Sequence, residues 1–118
     1  MKKILLAILV LGSLSSYTYA SAQDLSYKCE GFYGTENIGE LADMFQSEEV
    51  EQVILILKYD KIVFEAKQYD QTLLLYIYNK NNLSERIFKS TSVPTKNENA
   101  SLELETQNGK YTLTCIIK

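Results

Sequence analysis

From Gln52 to Tyr78 the chain alternates between apolar stretches of about eight residues and polar breaks of two, a spacing that suits antiparallel hairpins and is far too short for helical crossovers. Gln52 to Tyr59, Ile62 to Tyr69 and Thr72 to Tyr78 are rich in Val, Ile, Leu, Phe and Tyr, and Asp60-Lys61 and Asp70-Gln71 separate them. They read as a meander. With two-residue connections, Leu57, Phe64 and Ile77 share one face, as do Leu55, Ala66 and Leu75, and that face is core. The opposite face carries Ile54, Ile56, Val63, Leu74, Tyr76 and Tyr78 among Lys58, Glu65 and Lys67. It is too apolar for open solvent, so a covering element is expected.

The clearest hairpin lies at the end of the chain. Ala100 to Gln107 and Lys110 to Ile117 alternate cleanly around Asn108-Gly109, the preferred type I′ pair. A turn centred there pairs Leu104 with Leu113, Leu102 with Cys115, and Glu103 and Glu105 with Thr114 and Thr112. One face is then apolar and the other polar, and Cys115 points inward. Cys29 is the other cysteine, so one intramolecular disulfide is expected, buried between the first and last strands. A redox-active pair needs close spacing such as C-x-x-C, which this pair lacks.

Upstream, Ile38, Leu41, Ala42 and Phe45 fall at i, i+3, i+4 and i+7, the stripe of an amphipathic helix over about 38–47, with Asn37 and Glu40 as a capping pair. Gly39 weakens that helix by up to ~1 kcal/mol relative to Ala, so packing would have to hold it. A first strand spans Leu25 to Glu30, with Phe32-Tyr33 in a loop bracketed by Gly31 and Gly34. Glu85 to Ser90 is a weaker strand, followed by an exposed loop containing Pro94. The fold class expected is α+β and mainly antiparallel β: one short helix packed on a six- to seven-stranded meander sheet, the alternative being a small closed barrel or sandwich with a helix.

The amino terminus reads as an export signal. Lys2 and Lys3 precede an apolar run from Ile4 to Leu11, and small residues lead to Ala20-Ser21-Ala22. Cleavage after Ala22, or after Ala20, leaves one domain, 23–118 in the first case. The run is too short to anchor the chain in a bilayer, which takes ~20 apolar residues. The expected destination is the bacterial periplasm or the exterior. Removing Lys2 and Lys3 reduces 12 Lys plus Arg to 10, against 15 Asp plus Glu, a net charge of −5. An acidic surface repels phosphate backbones and anionic headgroups, which argues against nucleic acid and membrane and favours a basic protein or a cationic ligand as any charged partner.

The chain has no histidine, and both cysteines are assigned to a disulfide. Thiolate nucleophiles, Ser-His pairs and the usual zinc and copper ligand sets are therefore missing, and no phosphate-binding glycine motif or EF-hand loop occurs. No enzyme, cofactor or metal is expected. Glu48, Glu49 and Glu51, and the strand pair Glu103 and Glu105, read as solvated surface. Two groups stand out as interaction candidates: Tyr76 and Tyr78 with Ile54 and Ile56 on the second sheet face, and Phe32 with Tyr33 in the glycine-flanked loop. The strand-helix-meander order resembles cystatins in layout, and the signal with a terminal-strand disulfide resembles small periplasmic lysozyme inhibitors. The Gln-x-Val-x-Gly loop of cystatins is absent, because Gln52 runs into Val53-Ile54-Leu55-Ile56, so the resemblance is one of architecture and assigns no family. The function expected is binding of another protein, as an inhibitor or immunity-type protein. A ligand-holding β-barrel is the alternative, and a homodimer through the open sheet face is compatible with either.

Overall fold

The computed structural model describes residues 25–46 and 52–118, so the expected signal segment and the Glu48, Glu49 and Glu51 cluster lie outside the described residues. The described chain forms β1 (Tyr27–Tyr33), β2 (Glu36–Glu40), β3 (Ala42–Gln46), β4 (Gln52–Tyr59), β5 (Ile62–Tyr69), β6 (Thr72–Asn79), β7 (Asn82–Ser92), β8 (Ala100–Thr106) and β9 (Gly109–Ile117). These strands make two antiparallel sheets, one of order β2-β1-β9-β8 and one of order β3-β4-β5-β6-β7.

The five-stranded sheet follows from the two-residue breaks. Leu57 pairs with Phe64 and Phe64 with Ile77, while Leu55 pairs with Ala66 and Ala66 with Leu75, as the alternation requires. Asp60 and Asp70 open their turns at φ 56° and 55°. Aspartate tolerates this left-handed region better than most residues, which lets a two-residue connection match the twist of its strands.

The expected single meander with a helix is corrected in two respects. Among the described residues there is no helix, and 36–46 is instead an extended segment that changes sheets. β2 lies on the free edge of β1, β3 lies on the free edge of β4, and only Leu41 separates the two strands. The Leu41 N–H donates to the Cys29 carbonyl at 2.8 Å, and its side chain is buried. Gly39 stands at φ 142°, a conformation outside the helical basin. Asn37 does bind locally, since its Oδ1 accepts from the Gly39 N–H at 2.8 Å, but the backbone it holds is an irregular, bulged stretch of β2 and not a helix start. Two ladders of backbone hydrogen bonds outweigh a one-sided helical stripe that contains a glycine.

Secondly, the last hairpin does not extend the meander. β9 pairs with β1, building a separate four-stranded sheet from the two ends of the described chain. Within the hairpin the turn is Gln107-Asn108, and Thr106 pairs with Gly109, so Leu102 faces Leu113 and Ala100 faces Cys115. That register is two residues from the one a turn at Asn108-Gly109 implies, and an even shift leaves every side chain on its expected face. The Thr106 hydroxyl accepts from the Asn108 N–H at 3.1 Å and donates to the Gly109 carbonyl at 3.1 Å, which fixes the tighter position. Pro94, expected in an exposed loop, is buried.

The sheets face each other across a core that includes Tyr27, Leu55, Phe64, Leu75, Ile77 and Leu113, each no more than 1 % exposed. Fully burying a large apolar side chain stabilises by about 1.5–3 kcal/mol, so this layer outweighs any surface interaction. The sheets come close at Gly31, where an added Cβ would lie 2.8 Å from Leu57 and 3.3 Å from Phe64. Cys29 and Cys115 face each other across β1 and β9, fully buried, and form the expected disulfide. A disulfide points to an oxidising environment outside the cytoplasm, and no described helix is long and apolar enough to cross a membrane.

The disulfide spans 86 residues of sequence, so reduction is expected to lower unfolding free energy by about 4 kcal/mol, read as a shift of the urea midpoint. Dithiothreitol alone should leave it intact, because a reductant must reach a sulfur inside the core. Tyr27 donates to Gln68 Oε1 at 2.6 Å, and burial pushes its phenol from the usual 10.0 up to about 12. The folded state thus holds a proton that the unfolded chain releases first. Tyr27 contributes stability in full below pH 10 and loses it as pH rises toward 12, and Tyr27→Phe should show a flatter decline of urea midpoint across that window.

Candidate functional site

The two sheets present very different outer faces. On the four-stranded sheet, the outward positions of β1, β8 and β9 are mainly Lys28, Glu30, Ser101, Glu103, Thr112 and Thr114. Lys28 lies 3.7 Å from Glu30, Lys110 lies 3.7 Å from Glu103, and Ser101 shares a 3.4 Å hydroxyl contact with Thr114. Glu103 and Glu105 sit opposite Thr112 and Lys110, a solvated polar strand face. Among the described residues no group of three or more Asp, Glu, Cys or His is placed to hold a metal ion.

The outer face of the five-stranded sheet is built in four rows across β4 to β7, of which one, Tyr69 with Thr72 and Ser92, lies at the end where β4 begins. Ile54, Lys67, Leu74 and Ser90 form the next, Ile56, Glu65, Tyr76 and Phe88 the third, and Lys58, Val63, Tyr78 and Arg86 the fourth. The expected candidates Ile54, Ile56, Tyr76 and Tyr78 are thus brought onto one surface, each half-buried by its neighbours. The helix proposed to cover them is not there, and among the described elements only sheet neighbours pack beside them.

Ladder contacts give this surface a fixed geometry. Tyr76 stacks on Phe88 with ring centroids 5.8 Å apart, and the Lys67 ammonium sits 5.4 Å from the Tyr76 ring centroid. Glu65, largely buried, lies 3.3 Å from Lys67 and accepts the hydroxyl hydrogen bond of Tyr78. Burial works against the charge on Lys67, but Glu65 overrides it and the ammonium pKa lies above its ordinary value. Burial raises the Tyr78 pKa, and Glu65 adds to the rise. Glu65 therefore ties both neighbours together, and the aromatic rings are held in place before any partner arrives.

Where β6 meets β7, Tyr76, Tyr78, Leu83, Arg86, Ile87 and Phe88 line an open groove of about 530 Å³. Leu83, at 65 % exposure, and Phe88, at 64 %, are the most exposed large apolar side chains among the described residues. The sequence reading missed both as candidates. Phe88 had a signal, since it is the only aromatic residue of β7, but its place beside Tyr76 depends on the β6–β7 register.

The second candidate group is relocated. Phe32 and Tyr33 do not occupy a loop but complete β1, opposite Thr112 and Tyr111 of β9. Tyr33 packs 5.0 Å from Tyr111 and 6.3 Å from Tyr59, and its hydroxyl donates to the Asn108 carbonyl. It closes one end of the core, while Phe32 stands half-buried on the polar outer face. Neither joins Tyr76 and Tyr78.

Comparison with known proteins returns no match: no family model, no curated protein and no solved structure resembles this chain.

The difference between core and outer aromatics is measurable. Phe64→Ala should cost about 3–5 kcal/mol, because Phe64 is fully buried and packs edge-on to Tyr111. The double substitution Tyr76→Ser and Tyr78→Ser should cost about 1–2 kcal/mol and leave the unfolding transition cooperative, as a half-exposed face loses less burial. Urea denaturation followed by circular dichroism reads both.

Proposed function

We propose that this is a binding protein, exported to the periplasm or beyond, that holds another protein against the outer face of its five-stranded sheet. The observation that supports this reading is the contrast between the outer faces: one is mainly polar, with Phe32 and Ile116 among its Lys, Glu, Ser and Thr positions, while the other combines Ile54, Ile56, Leu74, Tyr76, Tyr78 and Phe88 with a few fixed charges. Aromatic residues flanked by arginine are the composition that carries binding energy at protein interfaces. The surface is also rigid, because β-ladders and the Glu65 contacts position the rings, so little side-chain freedom is lost on association.

Local charge refines the expected partner. The whole chain is acidic, yet this face carries Lys58, Lys67 and Arg86 against Glu65 alone. A partner docking here is best matched by apolar residues with an acidic rim, whereas a basic partner is matched by the other sheet and the loops. The space between the sheets is filled by side chains such as Phe64, Leu75 and Leu113, which favours a surface over a ligand-holding lumen.

The test is an affinity capture with the oxidised protein against periplasmic and extracellular proteins, repeated with the Tyr76→Ser, Tyr78→Ser variant and with Lys58→Glu, Arg86→Glu. The expected result is one enriched protein, lost with the first variant and weakened by about tenfold with the second. Capture that survives both variants would move binding away from this face. No enriched protein at all would direct the search to a small ligand.

A further inference from the structure

We propose that β7 is the contact through which two copies of this chain join, edge to edge and antiparallel, about a twofold axis at Ile87. β7 is hydrogen-bonded to β6 on one side only, and among the described strands none pairs with its other side. β8 approaches both β6 and β7, so it packs beneath them and does not run along the free edge. An eleven-residue edge strand with exposed Leu83, Ile87 and Phe88 is a template for a further strand.

The sequence of β7 selects a second copy as that strand. A twofold axis normal to the sheet keeps each side chain on its own face, so a residue can pair only with residues an even number of positions away or with its own copy. Centred on Ile87, the pairing sets Glu85 opposite Lys89 of the second copy and Arg86 opposite its Phe88, each twice by symmetry. Both pairs are complementary, one between opposite charges and one between a guanidinium and a ring. Moving the centre to Arg86 sets arginine against arginine, and moving it to Glu85 sets carboxylate against carboxylate. A centre at Phe88 leaves no charge pair. Ile87 is also the midpoint of Asn82–Ser92; the β6–β7 ladder is regular from Arg86 to Ser92 and shifts between Tyr78 and Asn79, so Leu83, Ser84 and Glu85 bulge from it and the regular part of the new pairing is centred on Arg86, Ile87 and Phe88.

In the monomer both charges are engaged within the chain, and pairing across the twofold axis would replace these contacts. Glu85 is held by Asn79, whose Nδ2 donates at 2.9 Å, and the Lys89 ammonium donates to the Ser101 carbonyl at 3.3 Å. Dimerisation would give a ten-stranded sheet. It would also join the two grooves beside Phe88, bringing two copies of the Tyr76–Tyr78 face side by side.

Sedimentation velocity of the oxidised protein over a range of concentrations tests this with charge reversals. Wild type is expected to show a concentration-dependent dimer. Glu85→Lys alone and Lys89→Glu alone should each weaken it by about tenfold or more, since each turns two attractive pairs repulsive. An equimolar mixture of the two variants should recover the dimer, because each Glu85→Lys chain then faces a Lys89→Glu chain. Recovery on mixing cannot come from misfolded protein, so loss of folding in one variant is not mistaken for the predicted effect. A wild type that stays monomeric to millimolar concentration, a dimer unaffected by the reversals, or no recovery from two folded variants would each overturn the proposal. Because the readout needs no partner protein, it is independent of the capture experiment above.

Discussion

The rest of the structure depends on the pairing of β1 with β9. Without it, β1–β2 and β8–β9 are two separate hairpins, and an isolated two-stranded hairpin is marginal in water. Their ladder runs from Tyr27 opposite Ile117 to Tyr33 opposite Tyr111, and the buried disulfide sits within it at the Cys29–Cys115 pair. Joining the ends of the described chain is the contact with the largest entropic cost, because the intervening loop is long. The covalent link removes much of that cost, and the four-stranded sheet it completes becomes the second wall of the core. Gly31 shows how closely that wall approaches, since its missing side chain leaves room for Leu57 and Phe64.

The second wall accounts for the shape of the first. A meander with one apolar face needs a cover, and the four-stranded sheet supplies it on the side of Leu55, Phe64 and Leu75. The short switch at Leu41 carries the chain from one sheet to the other at one edge, and Val93 to Asn99 does so near β7 and β8. Both faces of the five-stranded sheet are rich in apolar residues, but only one is covered by described structure. The outer face reaches partial burial through its own ladder neighbours, including the Tyr76–Phe88 stack and the Lys67 ammonium over the Tyr76 ring.

Much of this was legible in the sequence, and the parts that were not share a physical cause. Period-two alternation and two-residue breaks placed β4, β5 and β6 in register, and the same alternation put Cys115 and Leu113 on the inner face. Those features depend on neighbours close along the chain. Sheet membership does not: nothing in the Ala100 to Ile117 alternation says that β9 prefers β1 over β7, and the cysteines were the only long-range clue. The helix expected over 38–47 failed for a related reason. Ile38, Leu41 and Ala42 match helical spacing, but two strand edges offered this segment more hydrogen bonds than a short helix containing Gly39 could. For the candidate surface, Tyr76, Tyr78, Ile54 and Ile56 were visible as an apolar row facing away from the core, whereas Phe88 and Leu83 acquired meaning only from the β6–β7 register.

The central claim is that the outer face of the five-stranded sheet is open to solvent in the free monomer while its aromatic rings stay fixed in the ladder. Hydroxyl-radical footprinting at low protein concentration, read residue by residue by mass spectrometry, addresses it directly. Phe88 should be modified readily, Tyr76 and Tyr78 at intermediate rates, and Tyr27 and Phe64 hardly at all. Protection of Tyr76, Tyr78 and Phe88 to the level of Tyr27 in the monomer would mean that another part of the chain covers this face, and would contradict the account.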